Sequence, residues 1–308
     1  MANNTTNSSY NDARHGTQFS LSTSKCIPWF VGIAIECLAM VILNIITIIV
    51  FAKKHQLRRR STYLIIHLSM VDFLVGAVSG PLIMYMIGSF CNLWKYDHMV
   101  VLQQVSKQIP LNSSLVNLTA ISLERMHATF CPFKHRLIKK WFYGVLITVT
   151  WLTSTVATLA VGGDLINDFS AGFLLTAISV SYISIFIKMR LSRHPQYHGA
   201  VGVRERKLTN TLFIVTLSSL ITWLPSVIHL SIWTFHPFLF EHLSRETYFA
   251  YQNTVAVLVL ANSLINPIIY AMRMHELRQG IKQIIFRRTP NPSKVMDLPL
   301  KSYLPRNL

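Results

Sequence analysis

Seven stretches of this chain are each long and apolar enough to cross a lipid bilayer, and that pattern excludes most folds before any motif is considered. They run approximately over Ile27–Phe51, Tyr63–Gly88, Met99–Leu123, Trp141–Val161, Leu165–Ile187, Leu208–Trp233 and Tyr248–Met272, each near the ~20 residues a spanning helix needs. None alternates every two residues as a barrel strand would. Backbone groups left unpaired in hydrocarbon find no partner, so a helical bundle is the remaining spanning structure. The expected fold is an all-α membrane protein, a seven-transmembrane helix bundle. Composition agrees. Charged residues make up 13% and hydrophobic residues 51% of 308, against roughly 25% charged in a soluble domain. That is too little charge to cover a water-facing surface, and too much apolar residue for disorder.

Basic residues set the orientation. Of the 29 Lys and Arg, 23 lie in the segments after runs one, three, five and seven, with Arg125 counted at the edge of run three, so these face the cytoplasm by the positive-inside rule. The N-terminus is then outside. The net charge of +17 is read as a topology signal, and no nucleic-acid partner is expected. Residues 1–26 form the outer tail, 27–272 the bundle, 273–287 an amphipathic surface helix lying on membrane lipid and 288–308 a flexible cytoplasmic tail. The N-terminal stretch has no apolar core of a signal peptide. It carries glycosylation triplets at Asn3, Asn4 and Asn7, on the side that charge assigns to the exterior.

Polar groups at membrane depth are costly, roughly 2.5–3.5 kcal/mol per charge on insertion scales, so each needs a reason. Asp72 lies nine residues into run two, about 14 Å deep. Asn44, Ser114, Asn262, Ser263 and Asn266 lie at comparable depths in runs one, three and seven. Two readings stand: hydrogen-bond glue between helices, or oxygen ligands around a sodium ion or proton at Asp72. No metal or nucleophile constellation is apparent among the scattered histidines, and no enzymatic activity is expected.

The ordered short motifs carry a resemblance. They are Leu43-Asn44 in the first run; Leu68-Ser69-Met70-Val71-Asp72 in the second; Glu124-Arg125-Met126 closing the third, then Cys131-Pro132-Phe133; Trp151 in the fourth; Tyr182 in the fifth; Thr222-Trp223-Leu224-Pro225 in the sixth; and Asn262 through Tyr270 (NSLINPIIY) in the seventh. In this order and at these depths the chain resembles a class A (rhodopsin-like) G-protein-coupled receptor. The resemblance implies a multi-pass plasma-membrane receptor that takes an extracellular ligand and engages a heterotrimeric G protein. It implies an activation switch in which Arg125 pairs with Glu124 and Glu205 and is later met by Tyr182 and Tyr270, with Asn266, Pro267 and Pro225 at hinge points.

The chain also departs from that pattern. The outer end of the third run has Val100 where the family has a cysteine, and residues 162–168 contain none. Cys26 and Cys91 both fall outside, in an oxidising compartment, and are expected to bond to each other. Leu174 replaces the usual proline of the fifth helix. With the short second outer loop, these absences are similar to the melanocortin, cannabinoid and lysophospholipid receptor group. Retinal is not expected, since Leu260 stands where a Schiff-base lysine would.

Pockets in such bundles open outward. Lys107 lies 18 residues before Arg125, about 27 Å toward the exterior, with Gln103, Gln104 and Gln108 beside it, and Trp223 stands near Pro225 in the sixth run as a large indole positioned to sense ligand contact. An anionic or polar small molecule, lipid-like or peptidic, is one reading. An internal ion pair of Lys107 with Glu36 or an aspartate is the other. A transporter or channel is the competing function, with Asp72 and Lys107 along a path, but no inverted repeat is apparent.

Overall fold

The structure, a computed structural model, describes residues 23–53, 62–94, 100–160, 163–191 and 200–285. Every regular element among the described residues is helical. They are α1 (Thr23–Lys53), α2 (Thr62–Leu74), a π turn (Val75–Ser79), α3 (Gly80–Phe90), α4 (Val100–Phe130), α5 (Pro132–Leu137), α6 (Lys140–Leu159), α7 (Gly163–Leu191), α8 (Ala200–Phe235), α9 (Phe238–Glu241), α10 (Arg245–Arg273) and α11 (His275–Ile285). The second spanning helix is α2, the π turn and α3 taken together. The expected spans thus correspond to seven long helices, several of which run past the apolar stretch at their inner ends, the side that the basic residues assign to the cytoplasm.

Six of these helices are long and apolar enough to cross a membrane on their own composition. The exception is α4, which carries Gln103, Gln104, Lys107, Gln108, Asn112 and Asn117. The packing accounts for it. The helices α1, α2–α3, α6, α7, α8 and α10 contact one another in a closed ring, while α4 touches α2, α3, α6, α7 and α8. A central helix faces protein on most sides, so its polar groups meet other polar groups rather than lipid. The outer face obeys the opposite rule. Trp141, Val145, Val149, Leu152, Val156 and Leu159 stand exposed along α6, while Thr150 and Ser154 are buried. Apolar outward and polar inward is the arrangement a bilayer solvent selects.

The break in the second helix follows from Pro81. It has no N–H, so the helical ladder cannot continue through it unchanged. The ladder widens, and the Gly80 N–H bonds to the Val75 carbonyl five residues back. Such π turns re-aim the side chains that follow. This one points the Ser79 hydroxyl at the Lys107 carbonyl, 2.7 Å away, and so fastens the second helix to α4. Two glycines let α1 approach. A Cβ on Gly76 would stand 2.9 Å from Met40 Cβ, and one on Gly80 would overlap Cys37 Sγ, the close small-residue contact that favours helix association in lipid.

At the outer end Cys26 and Cys91 form a disulfide with Cα atoms 6.4 Å apart. Trp94 stacks on Tyr85 and meets Phe30 edge-on. Lys25 pairs with Glu246. Helix α10 starts at Ser244, whose hydroxyl accepts the Thr247 N–H at 3.1 Å, an N-cap that satisfies one end-group donor. At the inner end Leu277 of α11 is fully buried and Gly280 lies against Val50, so the amphipathic segment docks on α1. The triplets at Asn3, Asn4 and Asn7, and the C-terminal tail, lie outside the described residues.

Candidate functional site

Three groups of side chains, stacked from the inner to the outer end of the bundle, carry the chemistry. The innermost is built on the last turns of α4. The Arg125 guanidinium donates from Nε to Glu124 Oε2 at 2.5 Å and from Nη2 to Oε1 at 3.0 Å. Both side chains are at least 96% buried. A buried pair is tolerable only when its remaining lone pairs are satisfied, and here other elements satisfy them. His135 of α5 lies with Nε2 2.7 Å from Glu124 Oε1, and Tyr143 of α6 donates its hydroxyl to the same oxygen at 3.2 Å. Tyr182 and Tyr270 bury their rings nearby in the core, and neither hydroxyl bonds Arg125 or Glu124. Glu205 is on α8, with its side chain outside the described residues. The guanidinium is therefore held by a neighbouring acid that is itself clamped from two further helices.

His135 and Tyr143 carry no sequence signal for this role. They stand 11 and 19 residues from Glu124, on different elements, and only the fold brings them together. Beside them Phe133 and Leu137 project from α5, 71% and 78% exposed, among Lys134 and Arg136.

The middle group surrounds Asp72, which is fully buried. Its Oδ1 accepts from Ser114 at 2.9 Å and Ser263 at 2.8 Å, and its Oδ2 accepts from Asn266 Nδ2 at 2.8 Å. Asn44 Nδ2 donates to the Ser263 carbonyl at 3.2 Å, tying α1 into the same knot. Asn262, 2% exposed, has neither amide atom paired among the described residues. Pro267, one residue past Asn266, removes a helical hydrogen bond in α10. Five of the six residues singled out for their depth are joined by hydrogen bonds, and the sixth leaves buried polar atoms beside them.

The outer group lines a cavity of about 260 Å³ between α3, α4, α8 and α10. Lys107, Gln108 and Trp223 are in its wall, with His229, Gln252 and Asn253. Gln103 and Gln104 are not, contrary to the expectation for them. They lie about one turn from Lys107 along α4, a rise of roughly 5 Å, and Gln103 Oε1 is buried without a hydrogen-bond partner among the described residues. The Lys107 Nζ rests 3.6 Å from the Met86 sulfur. The Lys107–Glu36 pair does not form, and one carboxylate oxygen of Glu36 is buried without a hydrogen-bond partner among the described residues.

Comparison with known proteins adds an independent line. The family model described as "7 transmembrane receptor (rhodopsin family)" matches residues 43–162 and 165–270. The chain is 22% identical to melanocortin receptor 5 of Rattus norvegicus, over 84% of this chain and 87% of the relative. It is 23% identical to that of Homo sapiens over 79% of each, and 27% identical to that of Ovis aries over 58% of each.

Proposed function

Because the chain belongs to the rhodopsin family of seven-transmembrane receptors, we propose that its outer cavity receives an extracellular ligand anchored at Lys107 and that Arg125 transmits the event to a heterotrimeric G protein. As a member of this family it is a multi-pass membrane receptor and not an enzyme, and a transporter or channel role is not favoured. The observation that carries the proposal is the position of a single clamped arginine at the end opposite the cavity. Ligand acts by preferring one bundle state over another, since only differential affinity moves such an equilibrium. The state that engages the G protein is the one in which Arg125 leaves Glu124. Phe133 and Leu137, apolar and exposed among basic groups, form part of the surface offered to that partner.

Asp72 is assigned a sodium ion on the chemistry of its donor set. A carboxylate with two hydroxyls is a hard-oxygen environment, and the unpaired Asn262 amide supplies a further oxygen. When bound, the ion would supply positive charge to the carboxylate, and Asp72, Ser114, Ser263 and Asn262 would hold it.

The distribution of basic residues supports an N-terminus on the outside. An epitope tag before Met1 is expected to be labelled by antibody on intact cells, and one after Leu308 only once the cells are permeabilised. Labelling of both tags on intact cells would contradict this orientation.

A further inference from the structure

A second concave region opens on the lipid-facing side of the bundle, between the outer halves of α7 and α8. Phe169, Gly172 and Phe173 of α7 and Val227, Ser231 and Phe235 of α8 line a groove of about 330 Å³, within the roughly 300–1,000 Å³ of small-molecule sites. These residues are separate from those around Lys107 in the outer cavity. Both helices are long and apolar enough to cross the bilayer here, over Phe169–Lys188 and Phe213–Phe235. Phe169, Phe173 and Phe235 stand exposed on them. The groove therefore starts at the level where both spans end and runs inward. From Phe235 to Val227 its length along α8 is about 12 Å.

Three features restrict what fits. A Cβ on Gly172 would meet nothing within 4 Å, so the α7 wall is bare at that point, beside the Phe173 ring. At the outer end the Phe169 and Phe235 rings meet edge-on with centroids 6.2 Å apart, and they bridge the two helices where a lipid headgroup would have to leave. Ser231 supplies a polar atom. Its hydroxyl donates to the Val227 carbonyl at 2.7 Å, so the proton is committed within the helix and the oxygen serves a guest as an acceptor. Ser231 lies four residues before Phe235, about 6 Å inside the end of the span.

A flat apolar body with one compact polar end that donates a hydrogen bond near the membrane interface is a sterol. A phospholipid acyl chain brings no donor, and its headgroup would have to pass the Phe169–Phe235 pair. A preformed groove also favours a rigid guest, which loses little conformational freedom on binding. We infer that the α7–α8 groove takes a membrane sterol, its hydroxyl donating to Ser231 Oγ and its ring system lying along Gly172, Phe173 and Val227.

The test uses the purified full-length protein in phosphatidylcholine nanodiscs that contain a cholestanol analogue with a diazirine on its B ring and a free hydroxyl. After irradiation, labelled peptides are identified by mass spectrometry. Label is expected to saturate on residues 169–173 and 227–235. Unlabelled cholestanol is expected to compete about threefold to tenfold better than cholestanone, whose ketone cannot donate. Ser231→Ala leaves the groove open, and is expected to bring the two competitors to within about twofold while label is retained. Gly172→Leu places a side chain in open space, and is expected to abolish label there at an unchanged thermal midpoint. Label spread evenly over the lipid-facing helices, or label that survives Gly172→Leu, would overturn the site. Equal competition by cholestanol and cholestanone on the native chain would overturn the role of Ser231 as acceptor for a sterol hydroxyl. Cross-links joining two copies of the chain through these segments would make the groove a contact between receptors, and would equally overturn the sterol assignment.

Discussion

Glu124→Gln is expected to raise ligand-independent signalling to near its ceiling. The glutamine retains one carbonyl oxygen, which still accepts from the groups that converge on Glu124 Oε1, but its amide nitrogen cannot accept from Arg125 Nε and it carries no charge to hold Arg125. Hydrogen bonds to charged groups contribute about 1.5–3 kcal/mol, and 1.4 kcal/mol is tenfold in an equilibrium constant. Weakening one such bond in the resting state therefore shifts the ratio of active to resting receptor by about ten- to a hundredfold. The measurement is basal G-protein dissociation, normalised to receptor at the cell surface. Normalisation matters because a buried arginine without its partner also destabilises the fold. A basal signal at or below that of the native chain, at equal surface level, would contradict the clamp.

The second large effect is at Asp72. Leucine there leaves the hydroxyls of Ser114 and Ser263 and the amide of Asn266 without their acceptor. Each stranded buried group costs about 1–3 kcal/mol, and together they consume a large part of the ~5–15 kcal/mol that holds a typical protein folded. Asp72→Leu is expected to lower surface receptor about tenfold or more. Asp72→Asn keeps one acceptor oxygen and is expected to reach the surface. It separates the structural role from the ionic one. Sodium titrated against potassium should raise the thermal midpoint of the purified native receptor and leave that of Asp72→Asn unchanged. Surface levels of Asp72→Leu equal to native would show that the knot is dispensable.

Both predictions concern residues that the amino-acid order singled out, and the reason is physical. Lipid tolerates few polar atoms, so Asn44, Asp72, Ser114, Ser263 and Asn266 stood out by depth alone, and the fold joins them. The helices were legible for the same reason. The third of them reads as an apolar run with the others, although its composition is too polar to span on its own, and the Glu124-Arg125-Met126 motif closes it. What could not be read arises from contacts between elements. His135 and Tyr143 reach Glu124 only because α5 and α6 fold back over the inner end of α4. Asn112 and Thr158 meet across 46 residues. The π turn moves the face of the second helix beyond Ser79 in a way that no regular periodicity describes. Gln103 and Gln104 were grouped with Lys107 by chemical type, but they are not among the described residues that line the cavity. Glu36 and Lys107 have opposite charge, yet the packing does not bring them into a pair.

The central claim is that Arg125 links a change in the bundle to a G protein on the inner face. It is tested most directly by expressing the native chain and Arg125→Ala at matched surface levels with a panel of G-protein dissociation sensors. The account predicts a basal signal from the native chain through at least one G protein, and its loss in Arg125→Ala. A signal of the same size from both chains would contradict it.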